Sequence, residues 1–134
     1  KFMNVLWLTS SFKKDDILTN KDTVWVYTEN MLRKGGGEEI EWMRGNENCH
    51  AIITRESIGK DGYFREDNIV KTTRCIKNQF DSLYLRLKQG KLVIMPSTDI
   101  DEAVIELEKH APTLAIVFDK CLETINRFKM TTII

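Results

Sequence analysis

The residues best suited to binding chemistry lie between an apolar run, residues 24–28, and an acidic run, residues 38–44. Asn30 follows the apolar run, and three consecutive glycines, Gly35, Gly36 and Gly37, precede the acidic one. A strand, a glycine loop and a helix in this order can cradle a phosphate, because glycine lets backbone N–H groups approach an anion at a helix N-terminus. The alternative is a flexible turn, in which Asn30 would close a left-handed turn or cap a helix.

The remaining polar residues do not form a catalytic or metal-binding pattern. Cys49 and His50 are adjacent in a predicted strand, so their side chains point to opposite faces and cannot act as a nucleophile–base pair. Two histidines and three scattered cysteines lack the spacing of zinc ligands. Asp99, Asp101 and Glu102 could hold magnesium or act as paired acids, but acids in a first helical turn simply stabilise that turn. We therefore predict no catalytic residue, no metal and no cofactor.

Composition indicates an ordinary globular chain. It has 134 residues, of which 42% are hydrophobic and 30% charged, and its formal net charge is zero. We expect one domain, residues 1–134, without nucleic-acid binding, because such binding generally needs a basic surface. No run is long enough to span a membrane, and the apolar residues 5–8 are too few for a signal peptide. An odd number of widely spaced cysteines indicates reduced thiols and a cytoplasmic location.

Short apolar strands alternate with helical segments along the chain. Strands are predicted at residues 4–8, 24–28, 50–54 and 92–95, and helices at residues 38–44, 69–87, 101–110 and from residue 112 onward. Residues 9–22 are predicted as a loop, with one helical turn as an option, and residues 131–134 as a last strand or a frayed end. The alternation predicts an α/β fold with three layers, in which helices flank a mixed, mostly parallel sheet. Ligands bind such sheets beyond the carboxyl ends of the strands, here at residues 29–37, 54–58 and 96–100.

Aromatic residues flank the glycine loop. Alternation along the second strand places Trp25 and Tyr27 on one face and Val24 and Val26 on the other, as expected for a sheet buried on both sides. Trp42 lies on a short, otherwise polar helix and is the better candidate for surface contacts.

Several segments, taken in order, resemble a family of small phage-encoded proteins. The segment NMLRKGGG, residues 30–37, is followed by NENCHAIIT, residues 46–54. The strand VIMP, residues 93–96, and Leu107 with Ala111-Pro112 also fit, so the similarity covers about residues 24–122. That family is similar to trimmed macro domains, which bind ADP-ribose. The resemblance implies a macro-domain-like fold in which Asn30 meets the distal ribose, Gly35 to Gly37 meet the phosphates, and a loop at residues 97–103 forms a second clamp.

The predicted second clamp departs from that family. Residues 97–103 contain no glycine, and Ser97 and Thr98 are followed by Asp99, Asp101 and Glu102. Two like charges 4 Å apart repel by about 1 kcal/mol in water and several-fold more near a protein surface. We therefore expect a phage-type accessory protein, a non-catalytic protein-interaction module on a degenerate nucleotide-binding scaffold, which contacts a host or phage protein and acts against a host factor or defence. The alternative is a binder or hydrolase of ADP-ribose or a related nucleotide, held by Asn30, the three glycines and residues 97–99.

Overall fold

The computed structural model describes residues 4–130, and over these residues four strands form one parallel sheet. Its spatial order is β1-β4-β2-β3. Val5 lies opposite Val93, and Trp25 lies opposite both Ile94 and Cys49. The strands are β1 (Val5–Leu8), β2 (Thr23–Asn30), β3 (Cys49–Arg55) and β4 (Leu92–Pro96).

Helices connect the strands and cover both faces of the sheet. They are α1 (Lys14–Thr19), α2 (Glu38–Arg44), α3 (Ile69–Lys88), α4 (Ser97–His110) and α5 (Pro112–Asn126), with one 3-10 turn (Glu66–Asn68) before α3. The predicted bounds of α2 are confirmed, although Gly45 caps its end with φ −94° and not in the left-handed conformation. Gly90 does take that conformation, with φ +84°, just beyond the end of α3. None of the helices within residues 4–130 has the length and apolar character that crossing a membrane requires.

The two faces of the sheet bury separate hydrophobic cores. The larger core joins the sheet to α3, α4 and α5, and includes Val24 and Val26. The smaller core joins the sheet to α1 and α2, and includes Trp25 and Tyr27. The predicted alternation along β2 and the three-layer α/β architecture are therefore confirmed.

The segment after β4 differs most from the prediction. The predicted loop at residues 97–103 does not exist, because α4 begins at Ser97, directly after the strand. Ser97 and Thr98 are tolerated in a first turn, and Asp99 complements the positive end of the helix dipole there. Ile100, Ala103 and Leu107 then recur on one buried face. The buried stripe thus extends the helix four residues further towards the strand than the sequence analysis proposed.

Smaller differences affect the strands and the termini. β2 and β3 are longer than predicted, so that Asn30 is the last residue of β2 and is buried. The prediction for residues 131–134 falls outside the described part of the chain. Just before them, Lys129 forms a parallel bridge to Val5 beside β1.

The connections open a crevice at the carboxyl edge of the sheet. β2 leads into α2 on the face of the smaller core, whereas β3 and β4 lead into α3 and α4 on the opposite face. In parallel sheets, neighbouring strands whose following helices diverge in this way leave a crevice beyond their carboxyl ends.

Candidate binding cleft at the carboxyl edge

Two adjoining cavities lie beyond the carboxyl ends of the strands. The first, which we call the tyrosine cavity, has a volume of about 320 Å³ and is lined by residues 8–12, Tyr27, Thr98 and parts of α2. The second, which we call the glycine cavity, has a volume of about 280 Å³ and is lined by residues 28–30, Gly36, residues 54–55 and Ile58. Ile40 and Asp99 line both cavities. Together the two cavities form one cleft, which brings residues from all three predicted ligand segments to one edge of the sheet.

The backbone conformation of the glycine loop favours glycine at all three positions. Gly35, Gly36 and Gly37 have φ of +69°, +89° and +92°, a region that side-chain-bearing residues rarely adopt. The backbone amides of the three glycines donate no hydrogen bond to the described part of the chain. Only Gly36 lines the glycine cavity, whereas Gly35 and Gly37 lie outside both cavities.

Asn30 holds the turn that leads to the glycines. Its side-chain Nδ2 donates to the Lys34 carbonyl over 2.9 Å, and its Oδ1 faces the Lys34 amide at 3.5 Å. Nδ2 also approaches Glu29 Oε1 at 3.3 Å. This geometry matches the turn interpretation of Asn30, although the residue also lines the glycine cavity, where its role as a ligand contact stays a prediction.

A buried ion pair under the loop was not apparent from the sequence. Arg44 Nε donates to Glu29 Oε2 over 2.6 Å, and Arg44 Nη2 donates to Glu29 Oε1 over 2.8 Å. The same Nη2 donates to the Gly35 carbonyl over 2.7 Å, so that Arg44 ties the end of α2 to the glycine loop. Hydrogen bonding to Glu29 raises the pKa of Arg44, and the guanidinium stays charged. In the sequence, the pair is indicated only by Glu29, a charged residue near the end of an apolar strand. That pattern does not identify Arg44, 15 residues further along the chain, as its partner.

The start of α4 supplies part of the wall shared by the two cavities. Asp99 lies in the first turn of α4 and lines both cavities, whereas Thr98 lines only the tyrosine cavity. The Thr98 hydroxyl donates to the Thr9 carbonyl over 3.3 Å. Ser97 lines neither cavity. Of the residues predicted to form the site, the structure thus brings Asn30, Gly36, Thr98 and Asp99 into one cleft.

Two largely buried residues carry hydroxyl groups that line the cleft. Tyr27 is 6% exposed and lines the tyrosine cavity, and Thr54 is 6% exposed and lines the glycine cavity. Neither hydroxyl makes a hydrogen bond to residues 4–130, and neither was proposed from the sequence as a site residue. Burial, with a smaller effect of the Glu29 carboxylate, raises the pKa of Tyr27 to about 12, so the phenol stays protonated.

The two cavities differ in charge. Among residues 4–130, the tyrosine cavity is lined by two acids, Glu39 and Asp99, and by no lysine, arginine or histidine. The glycine cavity contains Arg55 as well as Glu29 and Asp99. The Arg55 guanidinium lies 4.6 Å from the centre of the Tyr63 ring and donates to the Gly59 carbonyl over 2.9 Å. Arg55 is therefore held partly by its own loop.

Cys49 and His50, at the start of the edge strand β3, do not form a reactive pair. His50 Nε2 lies 2.9 Å from the Gln79 carbonyl of α3, whereas Cys49 packs with the smaller core, so the predicted opposite orientation is confirmed. Burial lowers the pKa of His50 and raises the pKa of Cys49 to about 11. Among residues 4–130, no three His, Cys, Asp or Glu side chains are grouped so that they could hold a metal ion.

Comparison with known proteins identifies one family. A family model described as a family of unknown function (DUF7831) matches residues 8–120, which is most of the chain. Searches of curated proteins and of solved structures returned no match.

Proposed function

We propose that this chain, which belongs to the DUF7831 family of unknown function, is a non-catalytic protein-interaction module whose carboxyl-edge cleft binds a partner protein. The observation that carries the proposal is the start of α4. The helix begins directly at Ser97, so no loop is present there to wrap a pyrophosphate. The first turn of α4 instead presents its own carboxylate, Asp99, to both cavities.

Acidic residues at both helix starts disfavour an anionic ligand. α2 begins with Glu38 and Glu39, and α4 carries Asp99 in its first turn. These carboxylates already interact with the helix dipoles that would otherwise attract a phosphate. A partner with positive charge or exposed amide groups is the better complement, because interfaces pair opposite potentials.

The rim of the cleft offers apolar anchors for such a partner. Leu32 and Ile58 are 60% and 57% exposed, and both lie on loops that follow strands at the carboxyl edge. A Leu32 amide hydrogen bond to the Glu56 carbonyl, 3.3 Å long, joins these two loops. The fully buried centre of an interface is more apolar than the rest of a protein surface, so a partner that covers these two side chains would bury apolar area there.

A phage-type accessory role is part of this proposal and rests on the resemblance described above. The partner would be a host factor, a component of a host defence or a phage protein, encountered in the cytoplasm of the host. The macro-domain relationship rests on the same resemblance, in particular on Asn30 and the glycines that follow it.

One set of observations favours a second candidate, the binding of ADP-ribose or a related nucleotide. The amide of Gly36 and the hydroxyl of Thr54 border the glycine cavity and have no hydrogen-bond partner within the described part of the chain, and Arg55 adds a positive charge. The tyrosine cavity, at about 320 Å³, already reaches the size of a small-molecule site, and the glycine cavity adjoins it.

Thermal unfolding with millimolar ADP-ribose separates the two candidates. A ligand at 100 times its dissociation constant stabilises a protein by about 2.7 kcal/mol, which is a readily measured shift. The interaction module is expected to show no shift. A clear shift that is lost in a Gly36→Ala variant, compared with a Gly45→Ala control, would contradict the proposal and support nucleotide binding.

Site-specific photo-crosslinking in a host lysate tests partner binding directly. A photoreactive residue replacing Ile58 at the rim is compared with one replacing Leu85, which is 60% exposed near the end of α3 at the opposite edge of the sheet. We expect a discrete crosslinked protein only from position 58, which a Leu32→Asp variant abolishes and an Ile105→Asp variant leaves intact. Equal crosslinking from both positions, or indifference to Leu32→Asp, would contradict the proposal.

A further inference from the structure

We propose that the tyrosine cavity receives the side chain of one arginine of the partner protein. This inference rests on the proposed function and specifies the chemistry of the partner. It depends on three features of the cavity, which are its charge, the hydroxyl group of Tyr27 and its apolar walls.

The charge of the cavity selects a cation. Glu39 and Asp99 are the ionisable residues with carboxylates that line it, and no basic residue within the described part of the chain lines the same space. Asp99 lies at the junction with the glycine cavity, so a side chain that enters from the rim would meet this carboxylate. A carboxylate or phosphate group in this position would be repelled by both acids.

The Tyr27 hydroxyl is an independent indication of a polar ligand. The residue is 6% exposed, lines the cavity and has no hydrogen-bond partner for its hydroxyl among residues 4–130. The hydroxyl oxygen is not one of the buried polar atoms that lack a partner, so it is open to the cavity and can accept a hydrogen bond from an N–H donor there. Since the phenol stays protonated, its oxygen accepts a hydrogen bond without adding a third negative charge.

The walls of the cavity favour a guanidinium over an ammonium group. Five apolar residues line it, namely Leu8, Phe12, Ile40, Met43 and Pro96. The arginine head group is more weakly hydrated than that of lysine, stacks on aromatic rings and pairs with carboxylates through two N–H groups. Its aliphatic stem can lie along the apolar walls while the head group reaches the acids.

Titration with capped amino acids tests the inference on the intact protein. The probes are N-acetyl-arginine-N-methylamide, the lysine equivalent and the uncharged citrulline equivalent, and the readout is the set of backbone amide shifts in two-dimensional NMR. We expect the arginine probe to shift amides near Thr98, Asp99 and Glu39 and to bind at least tenfold more tightly than the citrulline probe. The lysine probe is expected to bind more weakly than the arginine probe.

Two matched pairs of variants test the role of the acids. Within each pair both variants remove one negative charge, either inside the cavity or elsewhere on the same helix. Asp99→Asn and Glu39→Gln remove acids that line the cavity, whereas Asp101→Asn and Glu41→Gln remove exposed acids of the same helices. Each cavity variant is expected to weaken the arginine probe at least fivefold, and each control less than twofold. Equal binding of citrulline and arginine, or equal effects within a pair, would overturn the inference.

The failure of this inference can be separated from the failure of the proposed function. If the arginine probe does not bind but crosslinking from position 58 remains dependent on Leu32, the arginine inference is wrong and the interaction module stands. If the probe does not bind and crosslinking is unspecific, both are wrong. The two tests report on different places, because Leu32 and position 58 lie outside the tyrosine cavity. Binding of the arginine probe in that cavity therefore supports the inference independently of the crosslinking result.

Discussion

Removing Arg44 is expected to reveal how strongly the buried ion pair supports the glycine loop. Its partner Glu29 has a side chain only 1% exposed, whereas the Arg44 side chain is 17% exposed. Arg44→Ala deletes two hydrogen bonds to the Glu29 carboxylate and one to the Gly35 carbonyl. The backbone N–H of Asn30, whose nitrogen lies 2.9 Å from Glu29 Oε1, remains as the main donor to the Glu29 carboxylate.

The magnitude follows from that buried carboxylate. Removing one partner of a buried pair destabilises proteins by about 3–5 kcal/mol, because the other charge is left uncompensated. We expect Arg44→Ala to lower the free energy of unfolding by about 3 kcal/mol, the lower end of this range, since the Asn30 amide still donates to Glu29. A Glu29→Leu/Arg44→Met double variant leaves no unpaired charge and is expected to lose less than Arg44→Ala alone.

Urea unfolding, followed by tryptophan fluorescence and circular dichroism, measures these differences. Arg74→Ala is the control, because Arg74 is exposed on α3, and its effect should stay within about 0.5 kcal/mol. A loss of less than about 1 kcal/mol for Arg44→Ala would refute the reasoning, since the pair would then behave like a surface salt bridge.

Three further measurements test other features of the structure. Gly35→Ala and Gly37→Ala should each destabilise the protein by about 1–2 kcal/mol through their positive φ, because Gly37 has open space and the atom nearest to a Cβ at Gly35 is the end of the exposed Ile58 side chain, which can move aside; a loss below about 0.5 kcal/mol at both positions in urea unfolding would contradict this. Burial lowers the pKa of His50 below its ordinary value of about 6.5 in the folded chain, so the unfolded chain binds the proton more readily. The contribution of the neutral His50 ring to the free energy of unfolding should therefore be complete above about pH 6.5, and it should be lost as the pH is lowered below this value. An equal fall in a His50→Gln variant would argue against this assignment. Burial raises the pKa of Cys49 to about 11, so alkylation by iodoacetamide at pH 8 should be much slower at Cys49 in the native protein than in urea, and equal rates would rule out the buried thiol.

The elements of the fold could be predicted because their signals are local. The spacing of Ile76, Phe80, Leu83 and Leu87 indicates one helical face, and all four are buried in the larger core. Alternation along β2 correctly assigned four residues to two faces of the sheet. Such periodicities need no knowledge of the partner element, since each element buries whichever side is apolar.

The candidate site was predicted only in part because its geometry depends on distant residues. The glycine loop and the carboxyl edge could be identified from strand–loop–helix order. The clamp loop at residues 97–103 was wrong, because the burial of Ile100 and Ala103 against the sheet extends α4 back to Ser97. The turn-closing role of Asn30 is fixed by a carbonyl four residues away, and sequence alone left this role and a ligand role both open.

By itself, the sequence determined the α/β class and the order of the four strands and of α2 to α5, since these follow from local periodicity. The structure added α1 and the positive φ that favours glycine at residues 35–37. Tertiary structure alone decided that Glu29 pairs with Arg44, that Tyr27 and Asp99 line one cavity, and that the cavity lacks basic residues within the described part of the chain. The physical reason is that charge pairing and cavity lining depend on which side chains the crossover connections bring within a few ångströms. Separation along the chain carries little of that information.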